Sequence, residues 1–149
     1  GSIILYQDQD ERLWNTELIE KGFYYLQKAS KWEVPSKYYL EASIAYWHTV
    51  RGNEKEKWPS ILRLYDALIK FDSSPSILLN RLYALSQVKG NKIAYEEASQ
   101  LKVEPSPYYH MLMSKLCAEN SAASQQHIVQ ALQLSKSASE KEFLKNQLN

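Results

Sequence analysis

A single cysteine, Cys117, stands among 149 residues, so no internal disulfide can form and a reducing, cytoplasmic compartment is the expectation. Long apolar runs are missing too. None approaches the roughly 18 residues of a membrane span, and no membrane partner is expected. Neither sign of charge dominates: 18 Lys and Arg face 17 Asp and Glu, for a net charge of +1. Gripping duplex phosphates takes a concentrated basic face with about six to ten contacts. Here the bases are scattered among acids, as in Glu54-Lys55-Glu56-Lys57, so direct nucleic-acid binding is not expected. There is no glycine-rich phosphate loop, no cluster of metal ligands and no nucleophile paired with a base. An enzyme is therefore a poor reading, and no cofactor is called for.

What remains is an ordinary globular composition, 44% hydrophobic and 23% charged, which excludes disorder. The length fits one domain that buries about two-thirds of its unfolded surface. Gly1-Ser2 resembles the scar left by a protease, with no initiator methionine after it. Residues 3–149 therefore read as one domain, a piece of a longer protein.

Apolar residues recur at helical spacing almost throughout, and no segment sustains the alternation of a strand. The punctuation predicts about eight helices. The first covers roughly Asn15 to Lys31, with Gly22 inside it as a point of close packing. Ser36 caps a second that reaches about Val50. That helix is apolar nearly all round, from Tyr38 to Trp47, as in a helix covered on several sides. Pro59 suits the first position of a third, ending near Phe71. Ser74-Pro75 opens a fourth that closes at Gly90, and Asn91 caps a fifth ending near Leu101. Ser106-Pro107 starts a sixth to about Glu119, and a seventh spans roughly Ala123 to Lys136. Ser139-x-x-Glu142 marks the last as a capping box. Short connectors predict antiparallel pairs stacked as an all-α, tetratricopeptide-like α-solenoid. The repeat marks are degraded: Gly22-x-x-Tyr25, Leu62-x-x-Tyr65 and Ala131-Leu132-x-Leu134 keep no strict period.

Several short blocks, in order, carry a resemblance. They begin with Asp8-Gln9-Asp10, Trp14, Leu18-Ile19 and Gly22, followed by Tyr39-Leu40-Glu41-Ala42-x-Ile44-Ala45-x-x-His48. Trp58, Leu64-Tyr65-Asp66-Ala67-Leu68, Ser74-Pro75, Leu79-Asn80-Arg81 and Gly90 come next, then looser matches at Tyr109-His110 and Glu142-Phe143-Leu144. In these blocks the chain resembles the tetratricopeptide-like C-terminal domain carried by one group of extracytoplasmic-function (ECF) sigma factors. The resemblance implies a domain that regulates promoter-specific transcription. Its partners would be the promoter-reading regions of the same chain, RNA polymerase core, and a small protein related to the YCII group. One departure stands out: the family places arginine directly after Asp-Gln-Asp, whereas here Glu11 intervenes before Arg12.

Two groups of residues are singled out. Asp8, Asp10, Arg12 and Trp14 precede the first predicted helix, where carboxylates suit the positive end of the helix dipole. They read either as an ion-paired entry turn or as a docking surface for the sigma-factor body. Glu41, Ala45 and His48 share one face of the second predicted helix, with room for Asn80 or Arg81 to reach in. These read as a buried polar network or as a groove that receives a peptide or ligand. A free-standing peptide-binding scaffold and a small-molecule sensor are the alternatives. His110 and His127 lack acidic or cysteine partners at ligand spacing, which makes zinc improbable. Cys117 reads as a packed thiol beside Met113 and Leu116.

Overall fold

The computed structural model describes residues 36–148, and all regular structure among them is helical. The described residues form seven helices: α1 (Lys37–Thr49), α2 (Glu54–Leu68), α3 (Pro75–Lys89), α4 (Asn91–Ser99), α5 (Pro107–Leu116), α6 (Ala122–Leu134) and α7 (Ala138–Lys145). The all-α expectation holds, with each predicted helix from the second onward found. The predicted first helix and its Gly22 lie outside the described residues, as do Asp8, Asp10, Arg12 and Trp14.

Serine starts most of these helices for a stated reason. The Oγ atoms of Ser36, Ser106, Ser121 and Ser137 accept hydrogen bonds from the backbone N–H three residues on, all at 3.1 Å. Each satisfies one donor that the first turn would otherwise leave open. The cap of α7 is thus Ser137, two residues ahead of the predicted Ser139. Its Oγ reaches the Glu140 N–H, so the functioning Ser-x-x-Glu is 137–140.

A second correction concerns α2, which begins at Glu54 and carries Pro59 inside it. Local chemistry supports the extra turn before proline. Glu54 and Glu56 lie at the positive end of the helix dipole, and Asn53 Nδ2 donates to Glu56 Oε2 at 3.0 Å. Trp58 Nε1 donates to Glu54 Oε2 at 3.0 Å, one turn back. Proline in the second turn forfeits one backbone bond, and these contacts offset the loss. Tyr38 is a third difference. It is 66% exposed, so α1 presents one open side at its first turn.

Glycine is required at the α3–α4 junction. Gly90 is the N-cap of α4 with φ of +94°, in the left-handed region that side chains rarely adopt.

The described chain forms two compact units, residues 36–84 and 85–148. In the first, α1 and α2 run antiparallel: Lys37 at the start of α1 meets Asp72 beyond the end of α2, and His48 near the end of α1 meets Trp58 near the start of α2. Their apolar stripes meet in a core of Leu40, Ile44, Trp58, Ile61, Tyr65 and Leu68, joined by Ala84 of α3. Burying each large side chain stabilises the unit by roughly 1.5–3 kcal/mol. In the second unit, α5 and α6 form the most closely packed antiparallel pair, with α4 against α5 and α7 against α6. Met111, Leu112, Met113 and Leu116 of α5 are buried there with Ile128 and Ala131 of α6 and Leu144 of α7.

Candidate functional site

In the first unit, Trp58 is the residue around which the polar groups are ordered. Its ring lies edge-on to His48 (5.9 Å between centroids, 75°) and edge-on to Tyr83 of α3 (5.6 Å, 70°). Quadrupole attraction favours this geometry over stacking. His48 belongs to the last turn of α1, where burial favours the uncharged imidazole. Burial, helped by the nearby Lys57 ammonium, pushes its pKa down to about 4. At neutral pH it is therefore an uncharged ring against an indole.

Arg81 reaches from α3 to α2, where its Nε donates to Asp66 Oδ1 at 2.6 Å. Glu41 faces water more openly and pairs with Lys37 at 3.9 Å, one turn earlier on α1. Lys37 also donates to Asp72 at 3.0 Å, and that hydrogen bond raises the lysine's pKa. Asp72 is lowered in turn, first by accepting the Ser74 backbone N–H and then by Lys37. Arg81 is thus joined to Asp66, and Lys37 to both Glu41 and Asp72, while His48 lies against Trp58. Asn80 sits beside Arg81 on α3 and is half-buried.

The second unit holds a cluster that sequence spacing does not reveal. His110 Nδ1 of α5 lies 3.0 Å from His127 Nδ1 of α6. The Tyr95 hydroxyl of α4 lies 3.4 Å from Nε2 on the other side of the His127 ring. One turn later in α5 and one turn earlier in α6, Ser114 and Ser124 are buried with their Oγ atoms 2.8 Å apart, and Ser124 Oγ also donates to the Ser114 carbonyl at 3.2 Å. Burial lowers the pKa of both histidines, and His127 lowers that of His110 further. Burial raises Tyr109, with a smaller contribution from Tyr95. His110 and His127 are 17 positions apart in sequence, and only the register of the α5–α6 hairpin brings them together.

Tyr95 also lines an open groove of about 500 Å³, walled by Lys92, Glu96, Leu116, Cys117 and Ser121. Its lining is mostly apolar, with Lys92 and Glu96 as the ionisable pair. Cys117 caps the end of α5 in this wall, and burial raises its thiol pKa, which keeps it a thiol at neutral pH. Among the described residues no group of three or more His, Cys, Asp or Glu is placed to hold a metal ion, and no helix is long and apolar enough to cross a membrane.

No family model matches the chain, and no solved structure matches it. An uncharacterized protein of Rhizobium meliloti (strain 1021) is 31% identical over 154 aligned residues. The match takes in all of this chain and 36% of that protein, so the chain spans about a third of its relative's length.

Proposed function

We propose that the chain is the regulatory C-terminal domain of an ECF sigma factor, a non-catalytic module that modulates promoter-specific initiation through protein contacts. The observation that carries this reading is the order of the short blocks from Asp8-Gln9-Asp10 to Glu142-Phe143-Leu144. Two findings support it. The described fold is wholly helical, as a tetratricopeptide-like module requires. The chain also aligns end to end with about a third of a much longer relative, leaving room there for regions that bind polymerase and read promoters.

In this reading Asp8, Asp10, Arg12 and Trp14 dock on the promoter-reading regions of the same chain. Glu41, His48, Asn80 and Arg81 belong to the face that receives a partner, with a YCII-related protein as a candidate. The protein works in the cytoplasm, where polymerase is. The sequence upstream of Ile3 in the full-length protein tests the parentage: sigma-type regions with a helix-turn-helix are expected there, and their absence overturns the reading.

The groove beside Tyr95 is the observation that favours a second reading, a sensor domain for a small molecule. A compound retained by the purified chain and lost on Tyr95→Ala would support it.

A further inference from the structure

We propose that His110, His127 and Tyr95 form a proton-operated latch that ties α4 to the α5–α6 hairpin at the wall of the groove. The inference is independent of the sigma-factor reading. It rests on the 3.0 Å contact between the two Nδ1 atoms and the 3.4 Å contact that continues from His127 to Tyr95.

Two imidazoles can approach this way only if one Nδ1 bears a hydrogen and the other offers its lone pair. If His127 donates to His110, its Nε2 is bare and accepts the Tyr95 O–H. If His110 donates, His127 carries its hydrogen on Nε2 and donates to Tyr95. Both arrangements keep the three groups in one line. A first added proton is accommodated as an imidazolium donating to a neutral imidazole, a charge-assisted bond. A second proton leaves two N–H groups facing each other, and the contact cannot survive. The titratable groups facing the pair are Tyr95 from α4 and Tyr109, edge-on to His110 at 5.1 Å. Neither α7 nor the groove residues Lys92 and Glu96 contribute a charge that shifts either imidazole. Among the described residues no carboxylate shifts either imidazole or stands ready to absorb the second charge, and burial already favours the neutral forms. Doubly protonated, His127 parts from His110 while its Nε2–H still donates to the Tyr95 hydroxyl, so Tyr95 moves with His127 and the wall of the groove is released.

The test is an NMR titration of the imidazole and tyrosine ring signals of the 149-residue chain, with the three histidines assigned by single His→Gln substitutions. The expected result is two linked steps for His110 and His127, both below 6.5 and separated by more than about one pH unit. The Tyr95 ring signals move with the lower step. In the His110→Gln variant His127 should titrate in one step. Independent single steps near 6.5 in the unsubstituted chain, or Tyr95 signals indifferent to the pair, overturn the latch. The unsubstituted titration decides the matter even if a variant fails to fold.

Discussion

Arg81 and Asp66 join α3 to α2 across 15 positions of sequence, with Nε and Oδ1 2.6 Å apart. The Asp66 side chain is 49% exposed and that of Arg81 21%, so water screens the pair. Replacing Asp66 by Asn keeps the shape and removes the charge. The variant should lose no more than about 1 kcal/mol, and less in high salt. Urea denaturation at low and high ionic strength measures it.

Trp58 should matter far more. It is 8% exposed, lies between His48 and Tyr83, and donates to Glu54. Trp58→Ala removes all of these at once and should destabilise by roughly 3–5 kcal/mol. Trp58→Phe keeps a ring and loses only the indole donor and some volume, so its penalty should be clearly smaller. Circular dichroism during denaturation separates the two.

His48 makes stability depend on pH. The unfolded chain protonates this residue as pH falls through 6.5, whereas the folded chain does so only near 4. Its contribution is fully present above 6.5 and is lost between there and 4. The loss is on the order of 3 kcal/mol for the full shift. His48→Phe keeps a ring against Trp58 and should flatten this part of the profile. Unfolding free energies between pH 7 and pH 4 give the comparison.

Gly90 tests the backbone alone. A Cβ there would meet nothing within 4 Å, so Gly90→Ala introduces no clash. The φ of +94° remains, and the variant should lose about 1 kcal/mol or somewhat more. A melting temperature unchanged by Gly90→Ala would mean that the junction relaxes to negative φ.

The helices were legible in the sequence because their start signals are local. Serine before proline at 74–75 and 106–107, and the glycine at 90, act within one turn and depend on no distant residue. Pro59 misled for the same reason. Its preference for a first position is local, but the preceding turn is held by Glu54, Asn53 and Glu56 through side chains that spacing does not display. The sequence reading picks Ser139-x-x-Glu142, yet Ser137-x-x-Glu140 fits the same pattern two residues earlier, and periodicity alone does not separate the two. The histidine pair was illegible on different grounds. Its contact exists only once α5 and α6 have set their register, and nothing within either helix marks it. Glu41, His48 and Arg81 were read from their shared polarity. The structure sets Glu41 beside Lys37, His48 against Trp58 and Arg81 on Asp66, a residue that enters the sequence reading only as part of a block.

On the sigma-factor reading proposed above, this domain acts on transcription through the rest of its own chain. Promoter-specific transcription with purified polymerase tests it most directly. Three forms of the protein are compared: full length, truncated before Ile3, and full length with Asp8→Ala and Asp10→Ala together. The account predicts that truncation changes the yield of transcript and that the double substitution shifts it in the same direction, to a smaller extent. Equal transcription from all three forms would contradict it.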